Sequence, residues 1–328
     1  MAANSTRAAP LGASPAGAVV QNLVVALGDR VLVCGTSWVS GVPELRIRVD
    51  GGPSEFVALA GLELRYSAST KATKRCIGHK PFRDTNTAWV DCERSPLHDG
   101  VKCDRCAAND ATFASQLHHA HMRGAGELDA SVQRHLNQQN NLYLAAFRDG
   151  SIKVGTSTTS RLQTRLAEQG AWRAQIVATA DDGISVRELE AQVTDELGIV
   201  QSVSARRKRD GLVTPLANDR LETELSRWAK AVHDLITRLG SGPITATSST
   251  WASPIAEDPL WSHVLAYPSK LNAGNHAVAF LGASGRIAAF QRPGVDDVFV
   301  SDLRPLYGLE LEQAAVEPDE LNVQDSLF

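Results

Sequence analysis

The stretch Asn141-Leu-Tyr-Leu-Ala-Ala-Phe-Arg-Asp-Gly-Ser-Ile-Lys-Val-Gly-Thr-Ser157 reads as two β-runs around a tight turn. Leu142 to Phe147 is apolar and of strand length, Asp149-Gly150 is a strong hairpin signal, and Ile152 to Gly155 is the return strand. Gly155 lets the chain leave that strand sharply. Downstream, Ser160 or Thr159 is placed to cap a helix from Arg161 to about Gln169, which Gly170 ends. Ala174 to Ala180 reads as a further strand, Asp181-Asp182-Gly183 as a turn, and Val186 to Leu197 as a second helix closed by Gly198. Residues 140–205 are therefore expected to form a small α/β sheet domain.

The surroundings differ in character. Residues 1–15, rich in Ala, Ser, Gly and Pro, read as a disordered tail. Residues 16–69 read as a β region, with runs at Val19-Val20, Leu23 to Val25, Val31 to Val33 and Leu45 to Val49, and a turn at Asp50-Gly51-Gly52. Residues 206–242 read as a basic linker, Arg206-Arg207-Lys208-Arg209, followed by an amphipathic helix carrying Leu221, Leu225, Trp228, Val232, Leu235, Ile236 and Leu239 at helical spacing. Residues 243–310 return to short strands, a small β domain with a hairpin at Gly282 to Gly285, and 311–328 read as a solvated acidic tail. The fold class expected is α+β.

Between 70 and 139 the apolar periodicity disappears, and Cys, His, Gly, Pro and Asp take over. A loop-rich stretch of this length needs a staple. Cys76, Cys92, Cys103 and Cys106 supply one, because the Cys103-x-x-Cys106 knuckle and an upstream half-site can close round one tetrahedral ion. The reading is a structural Zn2+ site on these four thiolates, with His79 as first substitute and His98 as a further candidate. Cys34, at the end of a Val-Leu-Val run, reads as a buried small hydrophobe. His118, His119 and His121 form a further cluster, either metal- or phosphate-binding or an exposed helix start. No apolar run approaches membrane-span length and no export signal is evident, so reduced thiols and a cytoplasmic location are expected.

The net charge of −4 excludes a uniformly basic nucleic-acid coat. Residues 141–175 nonetheless carry five basic and two acidic side chains, a local excess that suits an anionic ligand. In this segment the chain resembles the GIY-YIG superfamily of nucleases, in the branch whose second motif reads K-[IV]-G-x-T. Asn141-Leu142-Tyr143 stands where the first motif would, and Lys153-Val154-Gly155-Thr156 where the second would. The resemblance covers about residues 140–200 and implies a small mixed sheet flanked by helices. It implies Tyr143 activating a water and Arg161 neutralising a phosphate, with Arg165 as a second clamp. Glu190 or Glu188 would hold a divalent ion, Mg2+ or Mn2+. Lys153 replaces the second tyrosine and Asn141 the leading glycine. A wider similarity joins the cysteine cluster to K-V-G-x-[TS] and R-x2-[DE]-Q-G-A segments, here Arg165 to Ala171, in a bacterial family of unknown function.

Three functions follow from this reading: a zinc-stabilised nucleic-acid-processing protein that hydrolyses phosphodiesters, a DNA- or RNA-binding module without cleavage, and a zinc-held scaffold. In the first two, Arg206, Arg207, Lys208 and Arg209 extend the phosphate-contacting surface.

Overall fold

The computed structural model describes residues 30–81, 88–94, 97, 100–110, 130–240, 242–313 and 316–320. The expected strands at Val19 to Val25, the 1–15 tail, His98, the His118 to His121 cluster and most of the acidic tail lie outside them.

Two sheets organise the described chain, and the architecture is α+β. The larger has nine strands: β1 (Arg30–Val39), β2 (Val42–Val49), β3 (Ser54–Ala58), β4 (Glu63–Ala68), β9 (Leu265–Ala266), β10 (Gly274–Ser284), β11 (Ile287–Gln291), β12 (Phe299–Asp302) and β13 (Glu310–Gln313). Their order is β3-β2-β1-β13-β4-β10-β11-β12-β9, antiparallel except at β12 and β9. The amino-terminal β region and the carboxy-terminal strands, read from sequence as separate, therefore share one sheet and one core, in which Val31, Ile47 and Leu64 meet Phe280, Phe290 and Leu311. The start of the expected acidic tail is corrected as well. Glu310–Gln313 is strand β13, inserted between β1 and β4 with Leu311 buried. Its alternation of Glu and Leu is a half-buried strand pattern that charge counting hides.

The smaller sheet has the order β6-β5-β7-β8, with β5 (Asn140–Ala146), β6 (Ile152–Thr158), β7 (Arg173–Ala180) and β8 (Ile244–Ala252). All three strand pairings are antiparallel, where a mixed sheet was expected, and the one parallel contact is an isolated bridge from Lys153 to Val200. The edge strand β8 reads Ile-Thr-Ala-Thr-Ser-Ser-Thr-Trp-Ala; its mostly polar composition concealed it. Helices are α1 (Ala130–Leu136), α2 (Leu162–Gln169), α3 (Gly183–Leu197), α4 (Ala205–Val213) and α5 (Asn218–Leu239).

The period-two pattern of β5 divides the layers. Leu142, Leu144 and Ala146 pack with Val186 and Leu189 of α3 and Leu221, Leu225 and Val232 of α5. Tyr143, Ala145 and Phe147 point the other way, against Leu162 and Leu166 of α2. The amphipathic helix α5 thus covers the small sheet. The basic run is no linker: Arg206 to Arg209 lie on α4, whose first turn is capped by Ser204, its hydroxyl accepting from Arg207 N–H. Helix α2 begins after a 3-10 turn at Thr159–Arg161 without a side-chain cap, so the Ser160 or Thr159 cap does not form. Asp182 does cap α3, accepting from Ile184 and Ser185 at 2.8 Å.

The sheets dock where α2 ends. Gly170 (φ +70°) and Gly285 (φ +59°) of the β10–β11 turn sit back to back, and a Cβ on either would come within about 3 Å of the other's backbone. This contact places the end of α2, and the Gln169 beside it, against the larger sheet.

Candidate metal centre and phosphate site

The loop from Lys74 to Asp110 is tied to itself by backbone bridges, Lys74 with Leu97 and His79 with Val90, and by the Cys76 N–H donating to the Arg94 carbonyl. These ties bring the sulfurs of Cys76, Cys92, Cys103 and Cys106 within 4.8 Å of one another. Cys92 and Cys103 lie 3.9 Å apart, close to the roughly 3.8 Å edge of a tetrahedron with metal–sulfur bonds of about 2.3 Å. Backbone donors point at the sulfurs: Cys103 N–H reaches Cys76 Sγ at 3.2 Å, Gly78 N–H meets the same sulfur, and Cys106 N–H meets Cys103. The last of these draws the Cys103 thiol down to about 7, while burial pushes Cys76 and Cys106 up. Holding four thiolates in this pocket calls for a cation, and the four cysteines are positioned to hold a metal ion with a geometry compatible with zinc.

Two other expected candidates are corrected or placed. His79 is not in the cluster; its Nε2 meets the Asn109 amide at 3.0 Å. Cys34 packs with Leu32 and Ile77, and burial raises its thiol to about 11.

Gly78 is required by shape. It has φ +74°, and a Cβ there would fall 2.1 Å from the Val90 carbonyl oxygen. Gly78→Ala is expected to displace the N–H that faces Cys76 and to lower metal affinity about 10–100-fold. Metal retention against a competing chelator checks this.

The second site forms along β5 and β6. Tyr143 pairs in register with Gly155, whose missing side chain leaves room for the ring; a Cβ there would lie 2.5 Å from the phenol oxygen. The phenol accepts from Gln169 Nε2 at 2.7 Å. Lys153 shares this face, its ammonium 5.8 Å from the centre of the Tyr143 ring. Both are almost wholly buried. Burial raises the Tyr143 phenol, with Arg165 and the Gln169 bond opposing and Glu190 adding to the rise. Burial, helped by Arg165 and Lys208 and opposed by Glu190, pulls Lys153 down to about 8.

Arg165 on α2 and Glu190 on α3 thus act on the same two side chains although their helices flank opposite faces. Glu188 is exposed and lines a different, small cavity with Ile236 and Pro243, so Glu190 is the carboxylate of this group. Arg161 is placed elsewhere. It is half-exposed, pairs with Glu168 at 3.2 Å, and lines a cavity facing the cysteine loop. Arg165, expected as the second clamp, is the arginine whose charge reaches Tyr143 and Lys153.

The structure adds Arg187 and Gln169, not picked from sequence, and turns Lys208 of the basic run inward. Arg187 is influenced by Glu190 and Arg165, after the larger effect of burial, which lowers it. Gln169 holds the phenol. Lys208 donates to the Gln169 carbonyl at 2.7 Å and sits over the Phe147 ring at 4.5 Å; burial, then Arg286 and Arg165, lower it to about 8. A lysine four residues past a helix cap at Ser204 carried the only sequence signal for this inward turn. Arg207 pairs with Asp149 at 2.8 Å, Arg209 with Asp210 at 2.7 Å, and exposed Arg206 with Asp210 at 3.5 Å. The basic run is therefore split between one inward lysine and three surface arginines.

Among the described residues no helix is long and apolar enough to cross a membrane. No curated protein and no solved structure matches the chain. A family profile does match, over residues 63–276, which run from β4 through the cysteine loop and the whole small sheet into β10. The chain belongs to this family, described as protein of unknown function (DUF2797).

Proposed function

We propose that the protein is a zinc-stabilised nucleic-acid-binding protein whose small sheet, of GIY-YIG-like type, binds and hydrolyses a phosphodiester strand. The observation that carries this reading is the convergence of Lys153, Arg165 and Glu190 on Tyr143. Tyr143 and Lys153 stand where the resemblance puts the first and second tyrosines, and Arg165, its second clamp, takes over the phosphate role that the resemblance gave to Arg161. The central β5 between β6 and β7, with helices on both faces, supports the same reading.

Each group has work suited to its environment. Arg165, exposed on α2, meets non-bridging phosphate oxygens with a planar fork. Tyr143 is held as a neutral phenol and orients a water through the hydrogen bond that it shares with Gln169. Lys153, near 8, is the group that releases and takes a proton close to neutrality, so it serves as the base once neutral. Glu190, a single carboxylate beside a substrate phosphate, fits an Mg2+ or Mn2+ ion, which is ordinarily held by one or two carboxylates. When bound, that ion offsets charge developing on the phosphate. The surface arginines of α4 are exposed enough to exchange their carboxylate partners for phosphates, because such pairs are worth about 0–1 kcal/mol.

Binding of labelled single-stranded DNA and RNA, followed against salt and pH, tests this. Affinity is expected to fall with salt, and Arg165→Ala to reduce the log–log slope by about 0.7. Lys153 loses its charge above about 8 rather than above the ordinary lysine value, so affinity should weaken between pH 7 and 9 while hydrolysis rises. Lys153→Met removes both trends. Binding that ignores salt and pH would reject the reading. Salt-sensitive binding without product in any metal favours the binding module without cleavage, consistent with a phenol already engaged by Gln169.

A further inference from the structure

A cavity of about 440 Å3 lies where α2, the open face of β1 to β3, and the cysteine loop meet. This is within the roughly 300–1,000 Å3 usual for small-molecule sites. Its lining carries four cations, Arg46, Lys80, Arg161 and Arg286, against two acids, Asp110 and Glu168. Asp110 is engaged by Lys102 and Glu168 by Arg161, while Arg286 pairs with Asp302 at 2.9 Å, partly exposed pairs that a phosphate can displace. Lys80 makes no ion pair among the described residues and is exposed at the rim.

The aromatic lining is distinct. Phe56 stands directly across from Arg46 in the β2–β3 register and leaves 43% of its surface exposed, though it is among the largest apolar side chains. Trp89 lies against the Arg46 guanidinium at 3.8 Å. Arg46 itself is 2% exposed, donates to the Ile77 carbonyl at 2.6 Å, and its Nη1 faces Asp91 at 3.5 Å. A planar ring set on Phe56 would cover exposed apolar surface. Arg161 and Arg286, from the opposite wall, would then meet a charged group on the same molecule.

We propose that this cavity binds a nucleotide unit, with the base against Phe56 and the phosphate between Arg161, Arg286 and Lys80. The unit is either a free mononucleotide or one nucleotide of a strand. Arg161 lies one helical turn from Arg165, so a strand crossing the Tyr143 site could place its neighbouring nucleotide here. The cavity's lining argues for the site independently of whether hydrolysis occurs.

Calorimetric titration of the metal-loaded, full-length protein with 5′-AMP, GMP, CMP and UMP tests it, with adenosine and inorganic phosphate as comparison ligands. At least one mononucleotide is expected to saturate one site, with adenosine and phosphate each weaker by about tenfold or more. Phe56→Ser and Arg161→Gln, both at exposed side chains, should each weaken it by about tenfold, the size of one base-stacking contact. Lys153→Met should leave it unchanged. Competition by a short oligonucleotide assigns the site to a strand, and simultaneous binding assigns it to a free nucleotide. No saturation by any mononucleotide at millimolar concentration, equal affinity for inorganic phosphate, or unchanged affinity in both variants overturns the proposal. Loss of hydrolysis alone bears on the Tyr143 site and leaves this one standing.

Discussion

Stripping the metal from the four-cysteine centre, or replacing Cys103 by serine, is expected to unfold the 74–110 loop and to weaken the nine-stranded sheet with it. The loop has almost no core of its own; its buried cluster is Cys76, Cys103 and Cys106, with Cys92 and Leu97 against them. Structural zinc in small thiolate sites contributes about 10–16 kcal/mol at neutral pH, so little else there can hold the chain. The effect spreads because the loop supplies partners to buried arginines of β2. Arg46 meets Asp91 at 3.5 Å and Arg48 meets Glu93 at 2.5 Å, with both arginine side chains under 5% exposed. Leaving a buried charge unpaired costs about 3–5 kcal/mol. At about 2–4 °C per kcal/mol, the melting temperature should fall by roughly 10 °C. Hydrogen exchange on chelated protein should show protection lost over residues 74–110 and reduced in β2. An unchanged melting temperature and exchange pattern would mean that the thiols hold the loop without an ion.

Arg165→Ala and Glu190→Gln are each expected to slow strand cleavage about 10²–10³-fold while leaving the fold in place. Arg165 is exposed, so its loss removes little packing. Removing one preorganised charge partner of a developing oxyanion costs about 10²–10³ in rate. Glu190→Gln has a further signature. Its carboxylate raises the Lys153 ammonium against the downward pull of burial, so its removal should move the rising limb of the rate profile to lower pH. A merely structural role for Glu190 would lower stability without moving that limb. Single-turnover rates between pH 6 and 9 distinguish the two.

The small sheet was legible because its signals are local. Asp149-Gly150, Gly170 and Gly198 mark ends that the structure keeps, and the Leu221 to Ile236 spacing marks α5. The cysteine set was legible for a related reason: four thiols in a stretch without core periodicity have one common use. What sequence could not give was long-range. Strand β13 pairs with β1 from nearly three hundred residues away, and no local pattern encodes that partner. Arg161 and Arg165 looked equivalent on one helix face, yet Arg161 precedes the helix and is drawn to Glu168. Lys208 was hidden in a run of four cations, where its neighbours' exposure gave no hint of its own burial. The choice of Glu190 over Glu188 rested on helix phase, which depends on the other helices against which α3 packs.

Single-turnover cleavage of end-labelled DNA and RNA, single- and double-stranded, by the metal-loaded protein in Mg2+ or Mn2+ tests the assignment most directly. The account predicts discrete product with at least one of these strands, rising in rate as pH passes about 8 and slowed about 10²–10³-fold in Arg165→Ala. Intact strands under every condition, or equal product from wild type and the Arg165→Ala and Glu190→Gln proteins, would contradict it.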